Sequence, residues 1–259
     1  MKNKKQLNHT PSATSHTLTI GWLYPALMNV YGDIGNVKTL QKRCEWRDIK
    51  IKILNMNVGF DHKMLYTCDL LLMGGAQDKQ QEIVAKDLNS KRKDLKDLIE
   101  NNIPGLYVCG AYQFLGKYYK KANGDVITGL GIFDLYTENS EDRRLIGNII
   151  AKSDNFGFLV GFENHGGKTF LGKNIKPLAK VLKGFGNNGN DKTEGALYKN
   201  SVGTYLHGPI LPKNPKLADY LIQKALENKY KTKIELKTLD ESYEELARLA
   251  IAKKLKFAI

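Results

Sequence analysis

The chain has 259 residues, 42% of them hydrophobic, and a formal net charge of +13. This length accommodates one large α/β domain with a sizeable core, and no apolar run approaches the length of a membrane span. The positive charge is mostly lysine spread along the chain, without an arginine-rich helix or a basic strip interleaved with aromatic residues, so it predicts a solvated basic surface and no nucleic-acid partner.

The N-terminal segment and the cysteines indicate a cytoplasmic protein. Residues 1–16 are polar and basic and lack the apolar stretch of a signal peptide, so we expect a disordered tail followed by one domain, residues 17–259. Cys44, Cys68 and Cys109 form neither a CxxC pair nor an even framework. This usage is typical of a reducing compartment.

The first third of the chain predicts a parallel sheet. Residues 17–24 and 49–54 are typical of strands, and apolar residues recur at helical spacing between them, behind a cap at Asp33. This order indicates a βαβ unit. Residues 69–73 form a continuous apolar run, which predicts a central strand, and we expect one long charged helix at about residues 79–101.

Gly74 and Gly75 follow the predicted strand at residues 69–73. Glycines at the carboxyl end of a parallel strand allow a ligand to approach the backbone closely. An ordinary tight turn uses the same residues, so the pair by itself leaves both interpretations open.

Residues 103–116 (IPGLYVCGAYQFLG) carry the strongest candidate for a nucleophile. A short apolar strand ends just before Cys109, and a helical pattern begins just after it, which places the thiol at an abrupt strand-to-helix turn. The N–H groups of the first helical turn favour a thiolate and can donate to an oxyanion. The stretch alone fits equally well with Cys109 as a small buried hydrophobic residue.

The second half of the chain predicts short strands followed by helices. Residues 157–162, 168–171, 179–183, 195–198 and 202–206 are typical of strands in an antiparallel extension of the parallel core. One helix is expected after Asn214 and Pro215. A final helix is expected at about residues 240–255, with Tyr243 and Leu246 on its apolar side. The predicted fold class is therefore α/β, with a mainly parallel central sheet, an antiparallel extension and helices on both faces.

A cysteine nucleophile needs a base, which histidine most often provides. Three of the five histidines lie in the tail or in a polar loop, whereas His165 and His207 end predicted strands. A histidine at a strand end is more often structural than catalytic. Because Cys109 and His207 both lie at strand tips of one predicted sheet, they form a candidate dyad.

Four segments of the chain resemble class I glutamine amidotransferases of the cobyric-acid-synthase-like branch, and within it the glutaminase subunits of lipid II isoglutaminyl synthases. They are residues 31–36 (YGDIGN), 109–116 (CGAYQFLG), 161–167 (GFENHGG) and 203–212 (GTYLHGPILP). The resemblance extends from about residue 18 to residue 230, and it implies the flavodoxin-like fold of the class.

The resemblance implies a glutaminase that hydrolyses L-glutamine to glutamate and ammonia through a thioester on Cys109, with His207 as the base. Backbone N–H groups of Gly110 and of the 75–76 turn would hold the oxyanion. In the subfamily, an arginine in the segment matching residues 138–147 binds glutamine, and the match falls on Arg144.

The chain departs from the family pattern after its candidate base. Many triad enzymes carry an acidic residue two positions after the histidine, but here His207 is followed by Gly208 and Pro209. Either Cys109 and His207 act as a dyad or a carboxylate comes from elsewhere, and our hypothesis is that a partner supplies it. His165 remains the structural alternative to His207.

The resemblance also implies a partner, because the chain lacks a Walker-type phosphate loop. The partner would be a Mur-ligase-like synthetase subunit in a heterodimer. It would hold ATP and Mg²⁺, so this chain would need no cofactor or metal, and would convert D-glutamate in the lipid II stem peptide to D-isoglutamine. Through its acceptor, the complex would lie at the inner face of the membrane. The alternatives are a glutaminase for cobyrinate-type or other small-molecule amidation and a non-catalytic interaction scaffold.

Overall fold

The structure is a computed structural model that describes residues 16–139 and 143–259. The predicted tail, residues 1–16, lies outside these residues except for His16. Within the described ranges, none of the helices combines the length and the apolar character of a membrane-spanning segment.

Strands and helices alternate along the first half of the chain, and strands dominate the second half. The strands are β1 (Thr17–Leu23), β2 (Lys50–Met56), β3 (Leu70–Met73), β4 (Gly105–Val108), β5 (Tyr118–Lys120), β6 (Val126–Thr128), β7 (Leu135–Asn139), β8 (Leu145–Ser153), β9 (Gly157–His165), β10 (Gly167–Leu171), β11 (Ala179–Lys183), β12 (Thr193–Glu194), β13 (Ala196–Tyr198) and β14 (Ser201–Thr204). The helices are α1 (Ile34–Glu45), α2 (Asp78–Ser90), α3 (Arg92–Glu100), α4 (Gly110–Leu115), α5 (Pro215–Tyr230) and α6 (Ser242–Lys254), with short 3-10 helices at His62–Thr67 and Leu211–Lys213.

A six-stranded sheet in the order β13-β14-β4-β3-β1-β2 forms the centre of the molecule. Its strands are parallel except for β13, and every residue of β3 and β4 is buried, as expected of strands covered on both faces. The chain moves in one direction from β1 to β2 and in the opposite direction from β3 to β4. Right-handed crossovers therefore place α1 on one face and α2 and α3 on the other. The carboxyl ends of β1 and β3 meet where the direction reverses, which is where α/β sheets bind ligands.

The predicted antiparallel extension of the central sheet is confirmed for β13, whereas β14, which was predicted in the same extension, runs parallel to β4. The other strands form two separate four-stranded sheets, β10-β7-β5-β6 and β12-β11-β8-β9. The longest pairing joins β8 to β9 along the full hairpin, from Leu145 opposite His165 to Ser153 opposite Gly157. Alternation of apolar residues identifies a strand, but it does not identify the strand with which it pairs.

The single long helix predicted at residues 79–101 is wrong, because the structure has two helices that meet at Lys91. Before this residue, the Asn89 amide donates to the Ala85 carbonyl (2.9 Å) and the Ser90 hydroxyl donates to the Asp87 carbonyl (2.6 Å). Such side chains compete with the backbone for helical carbonyls, which weakens the continuation of the helix.

The predicted apolar side of the last helix does not face the core. Tyr243 and Leu246 are 83% and 62% exposed, whereas Ala252 packs with Ile150 and Val160 of the β8–β9 hairpin. The start of α6 is held instead by ion pairs from the buried guanidinium of Arg43 on α1 to Glu241 (2.9 Å) and Glu244 (3.4 Å). Polar contacts therefore hold the start of α6, and its apolar residues Tyr243 and Leu246 remain exposed to solvent.

Candidate active site

Cys109 occupies the turn between β4 and α4, as predicted. Its backbone has φ +54° and ψ −108°, a conformation that is costly for a non-glycine residue and that is concentrated at functional sites. The Cys109 N–H donates to the Thr204 carbonyl of β14 (2.8 Å), and the Cys109 carbonyl accepts from the Gln113 N–H (3.0 Å). The turn therefore fixes the thiol at the carboxyl edge of the central sheet.

His207 lies three residues beyond β14, the strand that pairs with β4. Its backbone bonds to Phe162 of β9 at 2.7 and 3.3 Å, and its ring centroid lies 4.2 Å from that of Tyr31. Cys109 Cβ and His207 Cε1 lie 3.2 and 3.5 Å from the point where a side chain on Gly75 would begin. The structure thus brings the predicted nucleophile and the predicted base against the same glycine.

The imidazole of His207 is neutral and can therefore accept a proton. Burial, together with the nearby positive charge of Arg144, lowers the pKa of His207 to about 3. The ring is therefore neutral at pH 7, as a general base must be. Neither ring nitrogen has a hydrogen-bond partner among the residues that the structure describes.

The buried glutamates of the neighbouring strands do not complete a triad. Glu163 accepts the two backbone N–H groups of residues 185–186 at 2.7 and 2.8 Å, and Glu194 accepts the Thr204 hydroxyl at 2.5 Å. Burial raises the pKa of Glu163 to about 7 and that of Glu194 to about 8. In the described part of the chain, no carboxylate bonds to His207.

Arg144 directly precedes β8, and its guanidinium is held by Asn164 on the paired strand β9. Nε and Nη2 donate to Asn164 Oδ1 at 3.1 and 3.0 Å, and Nη2 also donates to the Asn164 carbonyl at 3.1 Å. Arg144 lines a cavity of about 580 Å³ together with Cys109, Tyr31 and Gln113. Arg144, which the resemblance matches to the substrate-binding arginine, therefore lines the same cavity as the Cys109 thiol.

The loop after β3 supplies one side of this site. The Gly75 N–H donates to Asp33 Oδ2 at 3.0 Å, so this N–H is already engaged, and the Ala76 N–H is the remaining donor of the 75–76 turn. The Gly110 N–H begins the first turn of α4. Asp33 occupies the N-cap position of α1 as expected, but its side chain makes no capping bond and binds Gly75 instead.

His165, the alternative base, ends β9 and lines the same cavity. Its ring stacks on Tyr205, with centroids 3.6 Å apart and planes 6° apart, and its Nδ1 bonds to the Gly167 carbonyl at 2.7 Å. Because a carbonyl only accepts, Nδ1 carries the proton. Burial lowers the pKa of His165 to about 4. The ring is therefore fixed and neutral, and the histidine that packs with Cys109 against Gly75 is His207.

Sequence reasoning missed three residues of the site, namely Tyr31, Asn164 and Gln81. Tyr31 and Asn164 lie in segments 31–36 and 161–167, whose resemblance was noted, but the pattern did not indicate what their side chains contact. Gln81 on α2 gave no signal. Its side chain is buried, and its Nε2 donates to the Ala76 carbonyl at 3.0 Å.

Comparisons with known proteins identify the family of the chain. The family model described as "CobB/CobQ-like glutamine amidotransferase domain" matches residues 19–215. The chain is 46% identical over 218 residues to "Lipid II isoglutaminyl synthase (glutamine-hydrolyzing) subunit GatD" of Staphylococcus aureus (strain N315), covering 83% of this chain and 86% of the relative. It is 39% identical over 242 residues to the protein of the same name from Streptococcus pneumoniae (strain ATCC BAA-255 / R6), covering 92% and 90%.

A solved structure also shares the fold. The protein described as "Crystal structure of glutamine amidotransferase" superposes with a TM-score of 0.58 at 17% sequence identity, over 80% of this chain and 98% of the other. The chain therefore shares the fold of this glutamine amidotransferase. Both the family model and the two relatives cover most of the chain, and the chain therefore belongs to the family of CobB/CobQ-like glutamine amidotransferases.

Proposed function

We propose that the chain is the glutamine-hydrolysing subunit of a lipid II isoglutaminyl synthase. The observation that carries the proposal is the position of Cys109 on a strained turn, beside a neutral His207 and in one cavity with Arg144. The names of the two GatD relatives support the choice of reaction.

In the proposed reaction, the thiolate of Cys109 attacks the side-chain amide carbon of L-glutamine. His207 takes the thiol proton and gives it to the leaving ammonia. The N–H groups of Gly110 and Ala76 donate to the oxyanion of the tetrahedral intermediate. Water then attacks the thioester, with His207 again as the base, and releases glutamate. Arg144 binds the α-carboxylate of the substrate.

The third catalytic residue comes from the partner in this proposal. The unbonded ring nitrogens of His207 and the engagement of Glu163 and Glu194 with other groups support this assignment. A partner carboxylate bonded to the imidazole would orient it and stabilise the imidazolium. In a serine protease, loss of the orienting aspartate lowers kcat about 10⁴-fold, so the isolated chain should be a poor glutaminase.

The partner is a Mur-ligase-like synthetase subunit, and the two chains form a heterodimer. It holds ATP and Mg²⁺, activates the α-carboxyl of D-glutamate in the lipid II stem peptide, and uses the ammonia to form D-isoglutamine. Because lipid II is anchored in a membrane, the complex works in the cytoplasm at the inner face of that membrane.

The test is glutamate release from L-glutamine by the purified chain, with and without the synthetase subunit. Cys109→Ser should abolish release. Cys68→Ser is the matched control, because Cys68 is also a buried thiol but precedes β3, at the end of the sheet opposite to the site, where its Sγ contacts the Met64 carbonyl at 3.5 Å. Absence of release from the wild-type complex, or an active Cys109→Ser complex, would contradict the proposal. Full turnover without the partner would contradict the partner-supplied carboxylate.

A further inference from the structure

Segment 31–36 (YGDIGN) connects the two loops that carry the site. Tyr31 packs its ring against His207, and Asn36 Oδ1 accepts the Leu211 N–H at 3.0 Å, so the segment bonds to the loop after β14. Its central acidic residue, Asp33, reaches in the other direction, to the loop after β3. The segment therefore sets the relative position of the base and the predicted oxyanion donor.

The contact between Asp33 and the loop after β3 is close and enclosed. The Asp33 side chain is 1% exposed, and its Oδ2 lies 3.0 Å from the Gly75 nitrogen. A Cβ on Gly74 would lie 2.4 Å from the same Oδ2, so the approach requires glycine at this position. Only a residue without a side chain lets the carboxylate reach the next N–H.

Three hydrogen bonds hold the Gly75–Ala76 peptide and its two neighbours, one on the preceding Gly74–Gly75 peptide, one on the Gly75–Ala76 peptide itself and one on the following peptide. Asp33 accepts the Gly75 N–H, the Val30 N–H donates to the Gly75 carbonyl at 3.3 Å, and Gln81 donates to the Ala76 carbonyl at 3.0 Å. In a trans peptide, the carbonyl and the following N–H point in opposite directions. Because the Gly75 carbonyl points to Val30, the Ala76 N–H points away from it. In the described part of the chain, this N–H makes no hydrogen bond.

We propose that Asp33 is a positioning residue, which holds the Gly74–Gly75 peptide and through it orients the following Gly75–Ala76 peptide, so that the Ala76 N–H is presented to the oxyanion. The inference rests on the proposed glutaminase reaction. It accounts for an acidic side chain that is buried but does not cap its own helix. Burial raises the pKa of Asp33 to about 6, although the hydrogen bond from the Gly75 N–H favours the charged form.

The experiment compares Asp33→Ala, Asp33→Asn and Asp69→Asn in the complex with the synthetase subunit. Asp69 is the matched control, because its Oδ2 also accepts a backbone N–H (Thr19, 2.7 Å) but lies at the opposite end of β3. Outright loss of an oxyanion donor lowers kcat about 10²–10³-fold, so a donor that is only misoriented in Asp33→Ala should lower kcat about 10- to 100-fold. Asp33→Asn retains an acceptor and should recover most of kcat, and Asp69→Asn should match the wild type.

A second readout separates positioning from folding. Alkylation of Cys109 by iodoacetamide needs the thiolate but no oxyanion donor, so its rate should be unchanged in Asp33→Ala while kcat falls and KM stays within a few-fold. Gly74→Ala puts a methyl group 2.4 Å from both Asp33 Oδ2 and the Met28 carbonyl oxygen, so it should give the same pattern together with a lower unfolding temperature, and it serves if Asp33→Ala does not fold.

The outcomes distinguish the two proposals. A wild-type complex without glutaminase activity overturns the proposed function itself. An active wild type with unchanged kcat in both Asp33→Ala and Gly74→Ala overturns only the role of Asp33. Parallel loss of kcat and of the alkylation rate, with a lowered unfolding temperature, assigns Asp33 a structural role and also overturns the inference.

Discussion

Replacement of Arg144 by alanine tests the substrate-binding part of the proposal most directly. Three donations from Nε and Nη2 hold the guanidinium on Asn164, and the guanidinium also interacts with the Tyr31 hydroxyl. The bidentate contact expected from the chemistry of arginine would require some of the Asn164 bonds to be released. We therefore base the magnitude on one charge-assisted hydrogen bond to the glutamine α-carboxylate.

Such a bond contributes about 1.5–3 kcal/mol, which corresponds to a rise in KM of about 10- to 150-fold in Arg144→Ala. The α-carboxylate is remote from the amide carbon that reacts. The bond is therefore equally strong in the ground state and in the transition state, and its loss should leave kcat nearly unchanged. Arg144→Lys keeps the charge but loses the planar fork that fits Asn164, so its KM should be intermediate.

The assay is the dependence of glutamate release on glutamine concentration in the complex with the synthetase subunit. Arg143→Ala is the matched control, because it removes the same charge from the neighbouring, exposed position. An unchanged KM in Arg144→Ala would refute the assignment. An equal rise in KM in Arg143→Ala would show that the general positive field, and not a specific contact, attracts the substrate.

Three further predictions concern stability and protonation. Gly203→Ala puts a methyl group 2.1 Å from the Tyr112 ring and should lower the free energy of unfolding by about 1–3 kcal/mol in urea titrations. Gly147→Ala is the control and should be neutral, because its methyl group meets no atom within 4 Å. Equal effects of the two substitutions would contradict the packing argument. Burial raises the pKa of Glu194 to about 8, so near pH 7 the folded chain binds a proton that the unfolded chain lacks. The free energy of unfolding should therefore rise by about 1 kcal/mol as the pH falls from 8.5 to 7. Glu194→Gln should flatten this pH dependence in thermal melts. The depressed pKa of His207 predicts that thiol alkylation of the isolated chain shows no inflection between pH 5 and 7, and an inflection there that vanishes in His207→Ala would refute a neutral imidazole.

The parallel core could be predicted because its signals are local. β3 and β4 are short apolar runs bounded by glycine or proline, and parallel strands bring their carboxyl ends to one edge. Cys109 and His207 were predicted to lie at strand tips of one sheet, but the parallel pairing of β14 with β4, which brings them to the same edge, was not predicted, because residues 202–206 were assigned to the antiparallel extension. Arg144 did not follow from the residues and was indicated only by the resemblance.

The remaining features depend on contacts between distant parts of the chain. The partners of β8 and β10, which lie in separate sheets, are decided by packing and not by alternation. The break at Lys91 depends on side chains that bond to helix carbonyls. The pattern around Asp33 correctly indicated the start of a helix, but the carboxylate binds a loop that lies about forty residues further along the chain.

The site combines groups from two sheets, which the backbone bonds between His207 and Phe162 connect. The nucleophile belongs to the central sheet, whereas Arg144 and Asn164 belong to the β8–β9 hairpin, on which Ala252 of α6 packs. A ligand that bridges the two sheets restrains the hairpin, and the hairpin in turn supports the last helix. Binding and local stability are then linked, since a ligand that binds only when the hairpin is folded in place stabilises the hairpin and the helix that packs on it. Glutamine analogues should therefore slow amide hydrogen exchange in α6, although this helix contributes no residue to the cavity.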